Sequence, residues 1–214
     1  MTSTDALILS LSADLAPVKR RSVPRETAVL VALGATELAL ILWAGAMRPD
    51  MGRVIASPYM VWKMGSLALL AGVTCTVAMR SMAPPGSSRG GLMLALGLAV
   101  LAVVGGSLVT SEADSGRSLI DRLSPAHGML CATAITVLAM PLMAALAVLM
   151  RRAAPVRPSQ SALACGLAAA TGGALIFTVC CPSNDPLYIA VWYSLGVTTV
   201  ALVARSLLPR CFRL

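Results

Sequence analysis

What this 214-residue chain lacks is charge inside its long apolar runs: Asp, Glu, Lys and Arg make up 12% of the residues, and nearly all of them stand between those runs. A soluble domain is thereby excluded, because the longest piece outside the runs is residues 1–26 and the other connections are about ten residues each, too short to build a core. Period-two alternation is missing too, which excludes a membrane-spanning barrel. The six cysteines include no Cys-x-x-Cys redox pair, histidine occurs once, and nothing resembles a catalytic triad. No enzymatic activity is expected, and a membrane thiol oxidoreductase is disfavoured.

Six apolar stretches are present, at about 27–47, 58–79, 91–110, 127–150, 160–180 and 187–207, each bounded by Pro, Gly or charge. Each reaches the roughly 20 residues that a helix needs to cross a hydrocarbon core. Backbone groups that find no water in lipid must bond within their own helix. The expected fold class is all-α: a polytopic integral membrane protein, with a six-transmembrane-helix bundle over 27–207, an arm at 1–26 and a tail at 208–214. The first stretch is too long for a signal-peptide core, follows the arm and carries Glu37, so it reads as a retained helix. Orientation follows from the basic residues. Lys19, Arg20, Arg21, Arg25, Arg80, Arg89, Arg151, Arg152, Arg157, Arg205, Arg210 and Arg213 fall on one side; only Arg48, Arg53, Arg117 and Arg122 fall on the other, among acidic residues. Both termini are expected in the cytosol. The net charge of +8 follows from this bias and calls for no direct nucleic-acid partner.

Within the arm, Leu7, Ile8, Leu11 and Leu15 recur at helical spacing, Asp5 stands at a favourable helix start, and Pro17 stops the helix. A helix of about a dozen residues is marginal alone in water, so its apolar stripe needs a partner. An interfacial helix would carry Lys and Arg on its polar face, and this one carries only Asp and Ser. A groove on a cytosolic protein suits it better, with Lys19, Arg20 and Arg21 keeping the arm near the bilayer.

Four stretches then carry a family likeness: Leu7 to Val18 with its Ala13-Asp14-Leu15-x-Pro17-Val18 ending; Arg48-Pro49-Asp50 with Ser57-Pro58; Cys131 followed by Pro141; and Cys181-Pro182 leading through Pro186-Leu187 into Trp192-Tyr193-x-Leu195-Gly196. In their order and spacing they resemble the NrsF family of bacterial inner-membrane anti-sigma factors over nearly the whole chain. The chain departs from the family pattern at Cys180, where a His is common, and at Asn184 and Asp185, where the acidic residue is displaced. The resemblance implies that Leu7, Ile8, Leu11, Asp14, Leu15, Pro17 and Val18 bind an extracytoplasmic-function sigma factor of the sigma F type. It further implies that the sigma factor is withheld from RNA polymerase until heavy metals or oxidants loosen the grip.

Topology sorts the cysteines. Cys131, Cys180 and Cys181 fall at the outer ends of the fourth and fifth stretches, Cys75 and Cys165 in inner halves where small packing residues are expected, and Cys211 in the tail. Outer thiols in an oxidising compartment form a disulfide, ligate a soft metal or are oxidised. A disulfide between neighbouring Cys180 and Cys181 is strained, so Cys131 is paired with Cys181 as the thiol sensor. His127 stands four residues before Cys131 and so shares its helical face. It either caps the helix or joins Cys131, Cys181 and Cys180 around a thiophilic heavy metal bound in transit, with no constitutive cofactor.

Two ionisable residues fall inside the apolar stretches, Glu37 near the middle of the first and Lys63 about five residues into the second. At 1.5 Å rise per residue their axial offset is roughly 7 Å, so an ion pair between adjacent antiparallel helices is expected. Proton coupling in a small metal or solute transporter is the rival account, without recognisable inverted repeats to support it. Ala168 with Gly172 and Ala169 with Gly173 give small-xxx-small spacing in the fifth stretch, and Pro141 is expected to kink the fourth.

Overall fold

The computed structural model describes residues 3–13, 22–82, 89–109, 122–153, 155 and 157–212. Among them are eight α-helices and no strand: α1 (Ser3–Ala13), α2 (Val23–Trp43), α3 (Met51–Val54), α4 (Pro58–Ser81), α5 (Arg89–Val109), α6 (Pro125–Arg152), α7 (Pro158–Phe177) and α8 (Pro186–Leu207), with a 3₁₀ turn at Leu208–Phe212. Six of them, α2 and α4 to α8, are long and apolar enough to cross a membrane.

Proline sets most of the starts. It occupies one of the first two positions of α2, α4, α6, α7 and α8, where a missing N–H costs no intrahelical bond. Ser57 caps α4 by accepting from the Met60 N–H at 3.3 Å, and Asp185 caps α8 by accepting from the Leu187 N–H at 2.9 Å. The first spanning helix begins and ends about four residues before the stretch expected from hydropathy, because Pro24 seats its first turn and Gly45 closes it. Gly45 adopts φ 68°, its N–H bonds Leu42 O at 3.1 Å, and the Ala46 N–H reaches back to Ile41 O at 3.2 Å. That pair of bonds is a Schellman closure, which needs the left-handed residue glycine supplies.

Helix α7 is the axis of the bundle, packed against α4, α6 and α8, with α5 outside α4 and α2 against α6 and α7. Small residues make this possible. A Cβ on Gly173 would stand 2.9 Å from the Ala139 backbone N and 3.0 Å from Ile135 O, and one on Gly166 would stand 2.9 Å from Ala201 Cα. Of the two expected small-xxx-small pairs in α7, the one ending in Gly173 thus lies where backbones approach, whereas a Cβ on Gly172 would meet the Leu142 side chain. Hydroxyls add bonds across the interfaces: Thr74 to Thr171 at 2.9 Å, and Ser161 donating to Ser81 O at 2.9 Å. Between α2, α4 and α7 lies an apolar cavity of about 1050 Å³, lined among others by Leu30, Gly34, Gly65, Gly72 and Ala169.

Candidate functional site

The site is built from three connections at one end of the bundle. Helix α6 begins at a tight turn in which Ser124 takes φ 39°, unusual for a residue with a Cβ. Two ties hold that turn. The Trp192 indole N–H donates to Leu123 O at 2.8 Å, and Arg122 makes a bidentate pair with Asp185 at 2.8 and 2.9 Å. The Trp192 ring lies directly over Gly128, where any Cβ would collide with it. One turn later α6 delivers Cys131, 6% exposed, into a cluster with Cys181, Tyr188, Trp192 and Tyr193.

Cys181 comes from the turn between α7 and α8 and is fully buried. Its sulfur lies within hydrogen-bonding reach of the Cys131 thiol, and the Cys131 sulfur also bonds the Tyr188 hydroxyl at 3.0 Å. Both cysteines are free thiols. Donation from Cys131, with Lys63 and Tyr193 adding to it, outweighs burial and holds the Cys181 thiol down to about 5. A thiol at that value is a thiolate at neutral pH, the form that binds soft metals and attacks oxidants. Lys63 acts on Cys181 through its positive charge, donates to Ser183 O at 3.3 Å, and lies 5.2 Å from the centre of the Tyr193 ring.

The expected pairing of Lys63 with Glu37 is therefore corrected. Lys63 is engaged with the cysteine turn, and both Glu37 carboxyl oxygens are buried without a hydrogen-bond partner. Sequence neighbours are not space neighbours here: α2 packs on α6 and α7, and the apolar cavity stands between it and α4. The four-residue metal set is corrected as well. Among the described residues no three His, Cys, Asp or Glu side chains converge. His127 is exposed and bonds the Ser124 hydroxyl at 3.3 Å, and Cys180 is half-buried outside the cluster that holds Cys131 and Cys181. Cys131 and Cys181 are the two sulfurs that meet.

Sequence reasoning places Arg48 in a motif but gives it no role. It is buried, with Nε and Nη2 on Asp50 at 2.6 and 2.7 Å and Nη1 on Cys181 O at 3.2 Å and on Asn184 Oδ1 at 3.0 Å. The Asp50 carboxylate raises Arg48 further above its ordinary value, and Arg48 lowers Asp50. Tyr188 escapes sequence reasoning altogether; the only signal for it is a hydroxyl-bearing aromatic in the first turn of an apolar helix.

In the arm, α1 is exposed from Thr4 to Ala13, with Leu7, Ile8, Leu9 and Leu11 all more than half exposed. Ser10 and Ser12 turn their hydroxyls back onto Leu7 O and Leu9 O at 2.9 and 3.0 Å, which leaves the leucines as the groups presented outward. Asp14, Leu15, Pro17 and Val18 lie outside the described residues.

Comparison with known proteins agrees over nearly the whole chain. The family model described as NrsF, negative regulator of sigma F, matches residues 11–214. The chain is 31% identical over 207 residues to the anti-sigma-F factor NrsF of Caulobacter vibrioides, covering 94% of each. It is 29% identical over 206 residues to the probable anti-sigma-F factor NrsF of Azospira oryzae, again covering 94% of each. No solved structure matches. With its fold, its two meeting cysteines and these full-length matches, the chain belongs to the NrsF family of negative regulators of sigma F.

Proposed function

We propose that this protein is a membrane-embedded anti-sigma factor: its amino-terminal arm sequesters an extracytoplasmic-function sigma factor, and the Cys131–Cys181 pair releases it under heavy-metal or oxidant stress. The observation that carries the reading is the meeting of two sulfurs, 50 residues apart in sequence, in one buried pocket whose acid–base neighbours among the described residues include Lys63, Arg48 and two tyrosines. The basic bias favours a cytosolic arm and tail and a periplasmic cysteine end. The exposed leucines of α1 are the surface offered to the sigma factor.

Two sulfurs with no third donor among the described residues suit a cation content with two soft ligands, such as Hg²⁺. Ligation forms two metal–sulfur bonds while the Cys131 proton leaves to water, and the product is neutral at the pair. With a peroxide-class oxidant, the O–O bond breaks as its two oxygens take two electrons from the pair, the Cys131 proton goes to the released oxygen, and a disulfide forms between the same sulfurs. In either case α6 is tied to the α7–α8 turn. A pull-down of the full-length protein against a version lacking residues 1–18 tests the arm: a sigma factor must be retained by the full-length chain alone. Cys131→Ser with Cys181→Ser then tests the sensor. Retained sigma that no longer dissociates under metal or peroxide supports it, and unchanged release in the double variant sinks it.

A further inference from the structure

We propose that Arg48 is the coupling residue of this protein, carrying the state of the cysteine pair to α2 and through it to the arm. The inference rests on the thiol-sensor reading and names the route by which that site is read out.

Arg48 joins two chain segments at one planar group. Toward its own loop it holds both Asp50 oxygens; toward the cysteine turn its Nη1 holds Cys181 O and Asn184 Oδ1, and its backbone N–H holds Val179 O at 3.3 Å. The side chain is 3% exposed, so no water substitutes for a partner that leaves. A bidentate guanidinium of this kind fixes direction as well as distance, which an ammonium does not.

The path from Arg48 to the membrane helix has no slack. Helix α2 ends at Trp43, its last carbonyls are closed by the Gly45 and Ala46 N–H groups, and Arg48 follows two residues later. A closed Schellman end moves with its helix. Helix α2 itself is loosely seated: the cavity of about 1050 Å³ separates it from α4, and its Glu37 carboxyl is buried without a partner. A seat that leaves a buried carboxyl unsatisfied is one that a modest push can unseat. When a bridging cation draws the Cys181 sulfur onto Cys131, residue 181 turns toward α6 and its carbonyl leaves Nη1. Arg48 then shifts with its Asp50 partner, and α2 follows, carrying the segment that leads into the arm.

The test uses the full-length protein in lipid vesicles, the sigma factor captured by it, and Hg²⁺ as the probe. In the wild type, one equivalent of Hg²⁺ raises the Kd for sigma by about tenfold or more. Arg48→Lys is expected to bind sigma and Hg²⁺ with affinities within about twofold of wild type, yet to change its sigma Kd by less than about twofold on adding Hg²⁺. Full release in Arg48→Lys overturns the proposal, and so does a fall in Hg²⁺ affinity in step with release, which makes Arg48 part of the metal site. Should the lysine variant not fold, Asn184→Ala leaves the guanidinium paired with Asp50 and is expected to give release of about threefold; undiminished release there overturns the proposal. A wild type that holds sigma but ignores Hg²⁺ and peroxide overturns the sensor reading itself, before any variant is made.

Discussion

Replacing Lys63 by methionine removes the buried cation beside Cys181 while keeping the length of the side chain. Cys181 stands at about 5 against an ordinary 9.0. That difference of about four pKa units is on the order of 5 kcal/mol. A unit positive charge about 4 Å from a thiolate contributes about 4 kcal/mol at an effective dielectric constant near 20, or about three pKa units. The Lys63→Met protein should therefore titrate Cys181 at about 8. The assay is alkylation of Cys181 by iodoacetamide across pH, followed by mass spectrometry of the peptide. The midpoint matters, not the rate at neutral pH: a thiolate of higher pKa is more nucleophilic by about 0.4–0.5 log units per pKa unit. Over three pKa units that gain, about 1.2–1.5 log units, slightly exceeds the loss of about one log unit of ionised fraction in the variant at neutral pH. A midpoint that stays at about 5 in Lys63→Met would refute the reasoning and assign the low value to Cys131 alone.

The same value makes stability depend on pH. A group held below its unfolded value stabilises the fold above that unfolded value and loses its contribution as pH falls through the folded one. Unfolding in detergent should thus become easier by about 1.4 kcal/mol per pH unit between about 9 and 5, and Cys181→Ser should flatten the slope. Asp185→Ala loses both the α8 cap and the Arg122 pair and should cost about 1–2 kcal/mol by thermal unfolding; Arg122→Ala keeps the cap, loses the partly exposed ion pair and should cost less. Gly173→Ala drives a methyl onto the α6 backbone, which cannot yield as a side chain would, and should cost about 1–3 kcal/mol in the same assay. Glu37→Leu removes two buried, unpartnered oxygens and should stabilise the fold by about 1–3 kcal/mol, whereas Glu37→Gln should gain less.

The six spanning helices are legible in the sequence because lipid leaves a chain few alternatives to a helix, and their starts are legible wherever proline falls at the first turn. The end of α2 is not, since it is fixed by the left-handed Gly45 inside a stretch that is apolar on both sides of it. The meeting of Cys131 with Cys181 is legible because the span topology puts both at the outer end and strain between vicinal cysteines excludes Cys180 with Cys181. His127 fails as a ligand for a geometric reason. Four residues advance a helix by about 400°, so His127 and Cys131 differ by about 40° in direction. Trp192 lies over Gly128 and Cys131 turns inward beneath it, while His127 stays outside that cover. The pairing of Glu37 with Lys63 fails because it assumes that consecutive helices pack together, and α7 takes that place against both. Arg48 stands in a recognisable motif, but its partners lie 133 and 136 residues away, beyond any local pattern.

On the proposed thiol switch, the energetic demand also bears on which helix would move. Taking a two-state protein from mostly gripping to mostly releasing needs about 5.5 kcal/mol of differential binding, which thiolate ligation of a metal supplies. Directed at α7, that energy would meet immediate resistance, because Gly166 and Gly173 seat the helix directly on the backbones of α8 and α6 and its hydroxyls bond α4. Directed at α2, it displaces a helix that faces an open cavity, buries an unsatisfied carboxyl and is fastened to the cysteine turn by one guanidinium and one backbone bond. The least opposed motion available to the bundle is the one whose far end continues into the arm.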